Sequence, residues 1–136
     1  ADVNLGNLHD GITPLHDAAR EGDRDVVAFV LQKGFVAETG DPTGTGSGGS
    51  GTTLKAEISK ESFVRGVVGM KHAINDLDSA DSQFFIITGP AKHLDNKYSI
   101  WGRVIYGMEF VDLLKPGAPP KQPDTIQKMR VASDVK

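Results

Sequence analysis

The run Ser82-Gln83-Phe84-Phe85-Ile86-Ile87-Thr88 decides the reading of this chain. Two aromatics and two β-branched residues, stopped by Gly89-Pro90, predict a short buried strand. Strand alternation puts Gln83, Phe85 and Ile87 on one face and Phe84 and Ile86 on the other. One face therefore carries an amide beside an aromatic ring. Two readings follow. One is a core strand with Gln83 at its wet end. The other is a groove wall that grips an apolar ligand and hydrogen-bonds its backbone.

The neighbouring segments extend this pattern. Arg65 to Ala73 reads as a strand with a hinge at Gly69, and Ile74 to Asp81 as a polar loop. After a loop at 89–97, Tyr98 to Ile105 reads as a strand containing Trp101. Gly107 to Leu114 is a short amphipathic helix ended by Pro116-Gly117. A proline-rich loop leads to a closing strand from Thr125 to Val135, with Ile126 out of phase as at a bulge. Upstream, Phe35 to Thr39 is a strand ended by Asp41-Pro42. Residues 44–51 contain five glycines and form an exposed loop. Gly44-x-Gly46-x-x-Gly49 formally matches a dinucleotide fingerprint, but no βαβ pattern surrounds it. Short strands with few helices predict a mainly β (α+β) chain, with a barrel as the natural closure.

Bulk properties narrow the class. The chain has 136 residues, is 38% hydrophobic and 24% charged, and carries a net charge of −3. That is the composition of one globular domain, or of a small domain with an appendage. The acidic balance gives no reason to expect nucleic acid or an anionic membrane as partner. No apolar run reaches the length of a membrane span. The absence of cysteine excludes disulfide and thiolate chemistry and fits a cytoplasmic setting.

Residues 1–34 differ in texture. Asp10-Gly11-Ile12-Thr13-Pro14-Leu15-His16 reads as a turn and helix start, with Thr13 as cap and Pro14 in the first helical position. Glu21-Gly22-Asp23 breaks it. Asp25 to Lys33 reads as a second helix with Val26, Val27, Val30 and Leu31 on one side and Gly34 as its stop. Thr-Pro-Leu-His-x-Ala-Ala followed by Val-Val-x-x-x-Leu resembles one ankyrin repeat. A lone repeat needs neighbours to bury its apolar face. The same residues also fit an ordinary amphipathic hairpin capping a sheet.

From about Gly34 to Lys136 the ordered motifs resemble the cyclophilins, the peptidyl-prolyl cis-trans isomerases. The carriers are Phe63-Val64-Arg65-Gly66-Val67-Val68-Gly69-Met70, Ser79-Ala80-Asp81, the central strand, and His93-Leu94-Asp95-Asn96-Lys97-Tyr98-Ser99-Ile100-Trp101-Gly102-Arg103-Val104. The resemblance implies an antiparallel barrel capped by two helices. Only part of it is expected here, with an ankyrin-like helix-turn-helix at 1–34 in place of the first strands and a cyclophilin-like domain at 35–136.

The resemblance also implies a site. Phe35, Gln83 and Phe85 take catalytic positions. Met70, Lys71, His72, His93, Leu94 and Tyr98 take substrate-binding positions. Phe35, Phe85 and Leu94 would form the proline pocket, Met70 its wall, and Gln83 the amide that meets substrate backbone. Glu38 replaces the family's usual glutamine. His93 stands where cyclosporin-sensitive members carry tryptophan, which implies weak cyclosporin binding. The family's principal arginine falls on Val30, which implies a weak or inactive enzyme, and Arg20, Arg24 or Lys33 are the candidates to replace it.

Prolyl isomerisation needs no acid, base or nucleophile. Its barrier, about 20 kcal/mol, is the amide resonance lost as the bond twists. A protein need only bind the twisted amide better than the planar forms. An apolar grip, backbone hydrogen bonds and a cation or strong donor near the prolyl nitrogen suffice. His9, His16, His72 and His93 show no metal-ligand spacing and no triad order, so no metal and no cofactor are expected. The expected partners are proline-containing peptides or proteins. Two other readings stay open: a non-catalytic peptide-binding module, and a recombined ankyrin–cyclophilin chimera that self-associates through exposed sheet edges.

Overall fold

A computed structural model of the chain describes residues 2–6, 31–33, 35–117 and 121–134. Its strands are β1 (Asp2–Gly6), β2 (Leu31–Lys33), β3 (Val36–Thr39), β4 (Val67–Met70), β5 (Phe84–Ile87), β6 (Ile100–Tyr106) and β7 (Lys128–Val131). One short helix, α1 (Met108–Val111), follows β6 after Gly107, whose φ of 100° is a backbone state that glycine reaches without strain. Short 3₁₀ turns sit at Leu77–Ser79, Lys92–Leu94 and Ala132–Asp134.

The strands form one sheet in the order β2-β3-β5-β4-β6-β1-β7. Neighbours are antiparallel except β1 and β7, which run parallel. The central strand is β5. Glu38 pairs with Phe85 on one side, and Gly69 pairs with Phe85 on the other. Strand β4 continues to β6 through a register shift between Val68 and Gly69.

All four residues of β5 are buried, and the sequence alternation explains how. Phe84 and Ile86 belong to a cluster with Ala37, Val68, Met70, Trp101, Val104, Val111 and Met129. Phe85 and Ile87 belong to a second cluster with Phe63, Val67, Ala91 and Ile100. A strand covered on both faces must be apolar throughout, and this one is. Trp101 packs edge-on against Phe84, with ring centroids 5.8 Å apart at 81°. Each such large side chain contributes about 1.5–3 kcal/mol through burial.

Several expectations change. The described strands make an open sheet: β2 and β7 end its order and do not pair with each other, so it does not close into a barrel. The end of the expected second helix, Leu31–Lys33, is strand, hydrogen-bonded in register to Val36–Glu38. Asp2–Gly6, within the segment 1–34 expected as helix-turn-helix, is also strand and lies between β6 and β7. Pairing with a preformed apolar sheet overrides local helical periodicity in such short segments. The ankyrin-like hairpin is therefore unsupported where these residues are described, and the rest of it, residues 7–30, lies outside them. The Thr125–Val135 strand shortens to Lys128–Val131.

Candidate active site

The face of the sheet that carries Phe85 grades from apolar to polar. Register and alternation place Val36, Ile87 and Val67 in one row, then Glu38, Phe85 and Gly69, then Gln83 and Lys71. The last pair is set by the bond from the Lys71 N–H to the Gln83 carbonyl, 3.0 Å. A polar pair thus stands directly beside an aromatic ring.

The apolar part is built around Phe85. Its ring tilts against Phe63 at 5.7 Å and meets Tyr98 edge-on at 5.5 Å, 90°. Leu94 and Tyr98 are half-buried and pack on this cluster. Phe85 itself is 3% exposed, so it is the floor of the apolar patch and Leu94 and Tyr98 are its rim. Gly69 leaves the space the rings occupy. A Cβ there would lie 2.7 Å from Phe85 Cζ and 2.8 Å from Phe63 Cε1. Asp95 holds the neighbouring backbone by accepting from the Phe63 N–H at 2.8 Å.

The polar part is a network. Lys71 Nζ donates to Gln83 Oε1 at 3.1 Å, to Glu38 Oε2 at 3.2 Å and to the Gly46 carbonyl at 3.4 Å. Gln83 Nε2 donates to the carbonyls of Gly48 at 2.8 Å and Gly46 at 3.3 Å. The Gln83 carboxamide is thereby fixed in orientation. His72 stacks on Tyr98 at 4.4 Å, and its ring nitrogens face the carbonyls of Ala73 and Lys97 at 2.7 and 2.9 Å. A cleft of about 350 Å³ opens here, lined by Gly46, Gly48, Lys71, His72, Asp81 and Gln83.

Two carboxylates shape the glycine loop beside this cleft. Asp41, buried, accepts from the N–H groups of Thr43, Gly46 and Gly48 at 2.8, 2.6 and 3.0 Å and from the hydroxyls of Thr43 and Thr45 at 2.7 and 3.3 Å. Burial pushes its carboxyl up, but the Gly48, Thr43 and Gly46 donors together outweigh it and hold Asp41 far below the usual carboxylate range. Asp81 accepts from the Ser50 N–H and hydroxyl at 2.8 and 2.6 Å and from the Gly51 N–H at 2.9 Å. Burial raises it too, and the Ser50, Gly51 and Thr52 donors again prevail and lower it.

The structure brings Gln83, Phe85, Lys71, His72, Leu94 and Tyr98 together and leaves three expected residues apart. Phe35 precedes β3, is 53% exposed, and lies against Gly89. It stands three residues from Glu38, the partner of Phe85, which is about 10 Å along a strand. Met70 pairs with Phe84 and is buried in the opposite cluster with Trp101, because alternation sends it to the other face from Lys71. His93 is exposed on the 3₁₀ turn at Lys92–Leu94. Val30, Arg20 and Arg24 lie outside the described residues. Sequence reasoning missed Phe63, Asp41 and Asp81. The acid immediately before a Pro-Thr-Gly loop was a readable signal for Asp41. Phe63 lies far from Phe85 in sequence and had none. Among the described residues no three His, Asp or Glu side chains are grouped to hold a metal ion.

Comparison with known proteins places these features in company. The family model described as cyclophilin type peptidyl-prolyl cis-trans isomerase matches residues 19–131, beginning ahead of Gly34. A probable peptidyl-prolyl cis-trans isomerase of Brucella suis is 39% identical over 158 aligned residues, covering 99% of this chain and 80% of that protein. The rat peptidyl-prolyl cis-trans isomerase-like 3 is 49% identical over 88 residues, covering 61% of this chain and 53% of that protein. Among solved structures, a cyclophilin type isomerase of Cryptosporidium parvum superposes with a TM-score of 0.69 at 27% identity, over 81% of this chain and 75% of that one. The same parasite protein in the presence of the dipeptide Ala-Pro gives 0.66 at 30% identity, over 83% and 75%. Cyclophilin AquaCyp293 of Hirschia baltica shares the fold, with a TM-score of 0.72 at 22% identity, over 97% of this chain and 70% of that one.

Proposed function

The chain belongs to the cyclophilin-type peptidyl-prolyl cis-trans isomerases, and from that premise we propose that the sheet face bearing Phe85 and Gln83 is where it turns over Xaa-Pro bonds. The observation that carries this reading is the adjacency, on one face of β5, of an aromatic floor and a polar pair. The proline ring rests on the apolar patch of Phe85, Leu94 and Tyr98. The flanking peptide backbone enters the cleft beside Gln83 and His72. The relative crystallised in the presence of Ala-Pro supports a proline-containing peptide as the ligand class. No proton moves in such a reaction. Rate comes from holding the twisted amide better than either planar isomer.

The test is isomerisation of an Ala-Pro peptide, wild type beside Phe85→Leu. Catalysis that falls in the variant supports this face as the site. Catalysis unchanged by Phe85→Leu overturns the assignment.

A second reading, peptide binding without turnover, is favoured by one observation. Both ends of the Gln83 carboxamide are already engaged, by Lys71 and by the loop carbonyls. Proline-peptide chemical shifts on Phe85 and Tyr98 with no acceleration of exchange would favour it. Two finer properties complete the proposal: weak cyclosporin binding, from His93, and self-association through the outer edge of β2 or β7, each of which ends the order of described strands.

A further inference from the structure

Resting on the isomerase reading, we infer that Lys71 supplies the cation that stabilises the prolyl nitrogen as the amide twists. The position to which the family resemblance assigns an arginine is Val30 in this chain, a side chain with no donor. Lys71 lies at the cleft beside Gln83, one row from Phe85 on the same sheet face.

Three observations fit this role. The first is placement. Gly69 is the residue of β4 opposite Phe85, and Lys71, two positions on, projects from the same face. Lys71 and Gln83 thus form the row of this face next to Gly69 and Phe85. The second is preorganisation. Nζ is held by Gln83 Oε1 and Glu38 Oε2 at 3.1 and 3.2 Å, so the flexible stem is ordered before substrate arrives. The third is a replaceable contact. The longest of its bonds, 3.4 Å to the Gly46 carbonyl, faces the cleft. The Lys71 side chain remains 33% exposed.

In the planar amide the prolyl nitrogen's lone pair is delocalised and accepts poorly. At the twisted state the pair is localised on nitrogen, and an ammonium N–H given up by Gly46 meets it. That hydrogen bond exists only around the transition state, which is the condition for raising kcat rather than affinity. When rotation completes, resonance returns and Nζ reverts to Gly46. No bond is made or broken and no proton is transferred. Arg65 does not fill the role: its guanidinium is bidentate to Asp112 at 2.7 and 2.6 Å and also meets the Thr88 carbonyl at 2.9 Å.

The experiment is steady-state isomerisation of an Ala-Pro peptide by wild type, Lys71→Arg, Lys71→Gln and Lys71→Met. Glutamine keeps a donor without charge, arginine keeps the charge, and methionine keeps only the stem. A fully preorganised donor is worth about 10²–10³ in rate. For a partly exposed ammonium the expected loss is at least about tenfold in kcat for the Gln and Met variants. KM should stay within about threefold, and Lys71→Arg should keep most of the wild-type kcat. Wild-type kcat in Lys71→Gln would make Lys71 a hydrogen-bonding post and overturn the inference while leaving the isomerase reading intact. An equal loss in Lys71→Arg would overturn it as well. A wild-type chain no faster than background would overturn the isomerase reading itself, and this inference with it.

Discussion

Gly69 faces Phe85 across the β4–β5 pair, and the absence of a side chain at Gly69 is what lets the Phe85 and Phe63 rings meet over the sheet. The contact is close enough that one methyl group would have to displace both rings. The aromatic floor of the site is thus a consequence of a glycine in a neighbouring strand.

Gly69→Ala tests this directly. The added Cβ overpacks a buried site, so stability should fall by about 1–3 kcal/mol. Because the Phe85 ring moves, catalysis should fall further than the fraction of unfolded protein accounts for. Urea denaturation and isomerase assay on the same sample separate the two effects, and unchanged stability would show that the rings yield freely.

Phe85→Ala removes the floor itself. A buried Phe→Ala change costs about 3–5 kcal/mol, so the variant sits at the margin of folding. Phe85→Leu keeps most of the volume and should cost less than about 1.5 kcal/mol. Both should lose activity on Ala-Pro peptides, with Phe85→Leu showing the loss in a folded protein by circular dichroism.

Asp41 ties the glycine loop to the sheet, and its titration sets an acid limit. Its folded-state pKa lies below the ordinary value of 3.8, so between the two the unfolded chain binds more protons than the folded one. The stabilisation is complete above the unfolded value and is lost as pH falls through it toward the folded one. Asp41→Asn should therefore destabilise the protein by about 1.5–3 kcal/mol at neutral pH, the loss of charge-assisted bonds to backbone donors. Melting temperature against pH should fall below about pH 4 in the wild type and flatten in the variant. Parallel curves would place the acid sensitivity elsewhere.

Gln83→Ala cuts the bonds to Lys71, Gly46 and Gly48 together. The loop loses its anchor on β5, and amide exchange at 46–48 should quicken. Isomerase activity should drop about tenfold or more, in line with a lost preorganised polar group. Faster exchange with full activity would show that Gln83 holds the loop and does nothing for substrate.

His93→Trp addresses ligand selectivity. His93 is exposed beside the Leu94 rim, and an indole there adds a large apolar surface with one donor. Calorimetry should show cyclosporin binding strengthened about tenfold, which corresponds to roughly 1.4 kcal/mol. Equal affinity in both proteins would overturn the proposal that His93 weakens cyclosporin binding.

Much of this molecule was legible in its sequence because the decisive signals are local. Four apolar residues in β5 between a glutamine and Gly89-Pro90 specify a strand, and period-two alternation alone sorts Phe84 and Ile86 from Phe85 and Ile87. Both halves of that sorting appear as the two core clusters. Gln83 and Phe85 on a common face followed from the same period. What alternation could not supply is which strand lies beside which. Pairing between β3, β5 and β4 decided that Glu38 and Gln83 converge on Lys71, and that Phe35 and Met70 do not join Phe85. Leu31–Lys33 carries a helical pattern yet pairs as strand, since three residues gain more from a neighbouring strand than from one helical turn. Residue type and spacing are properties of one segment. Register, and with it the site, belongs to the contacts between segments distant in the chain.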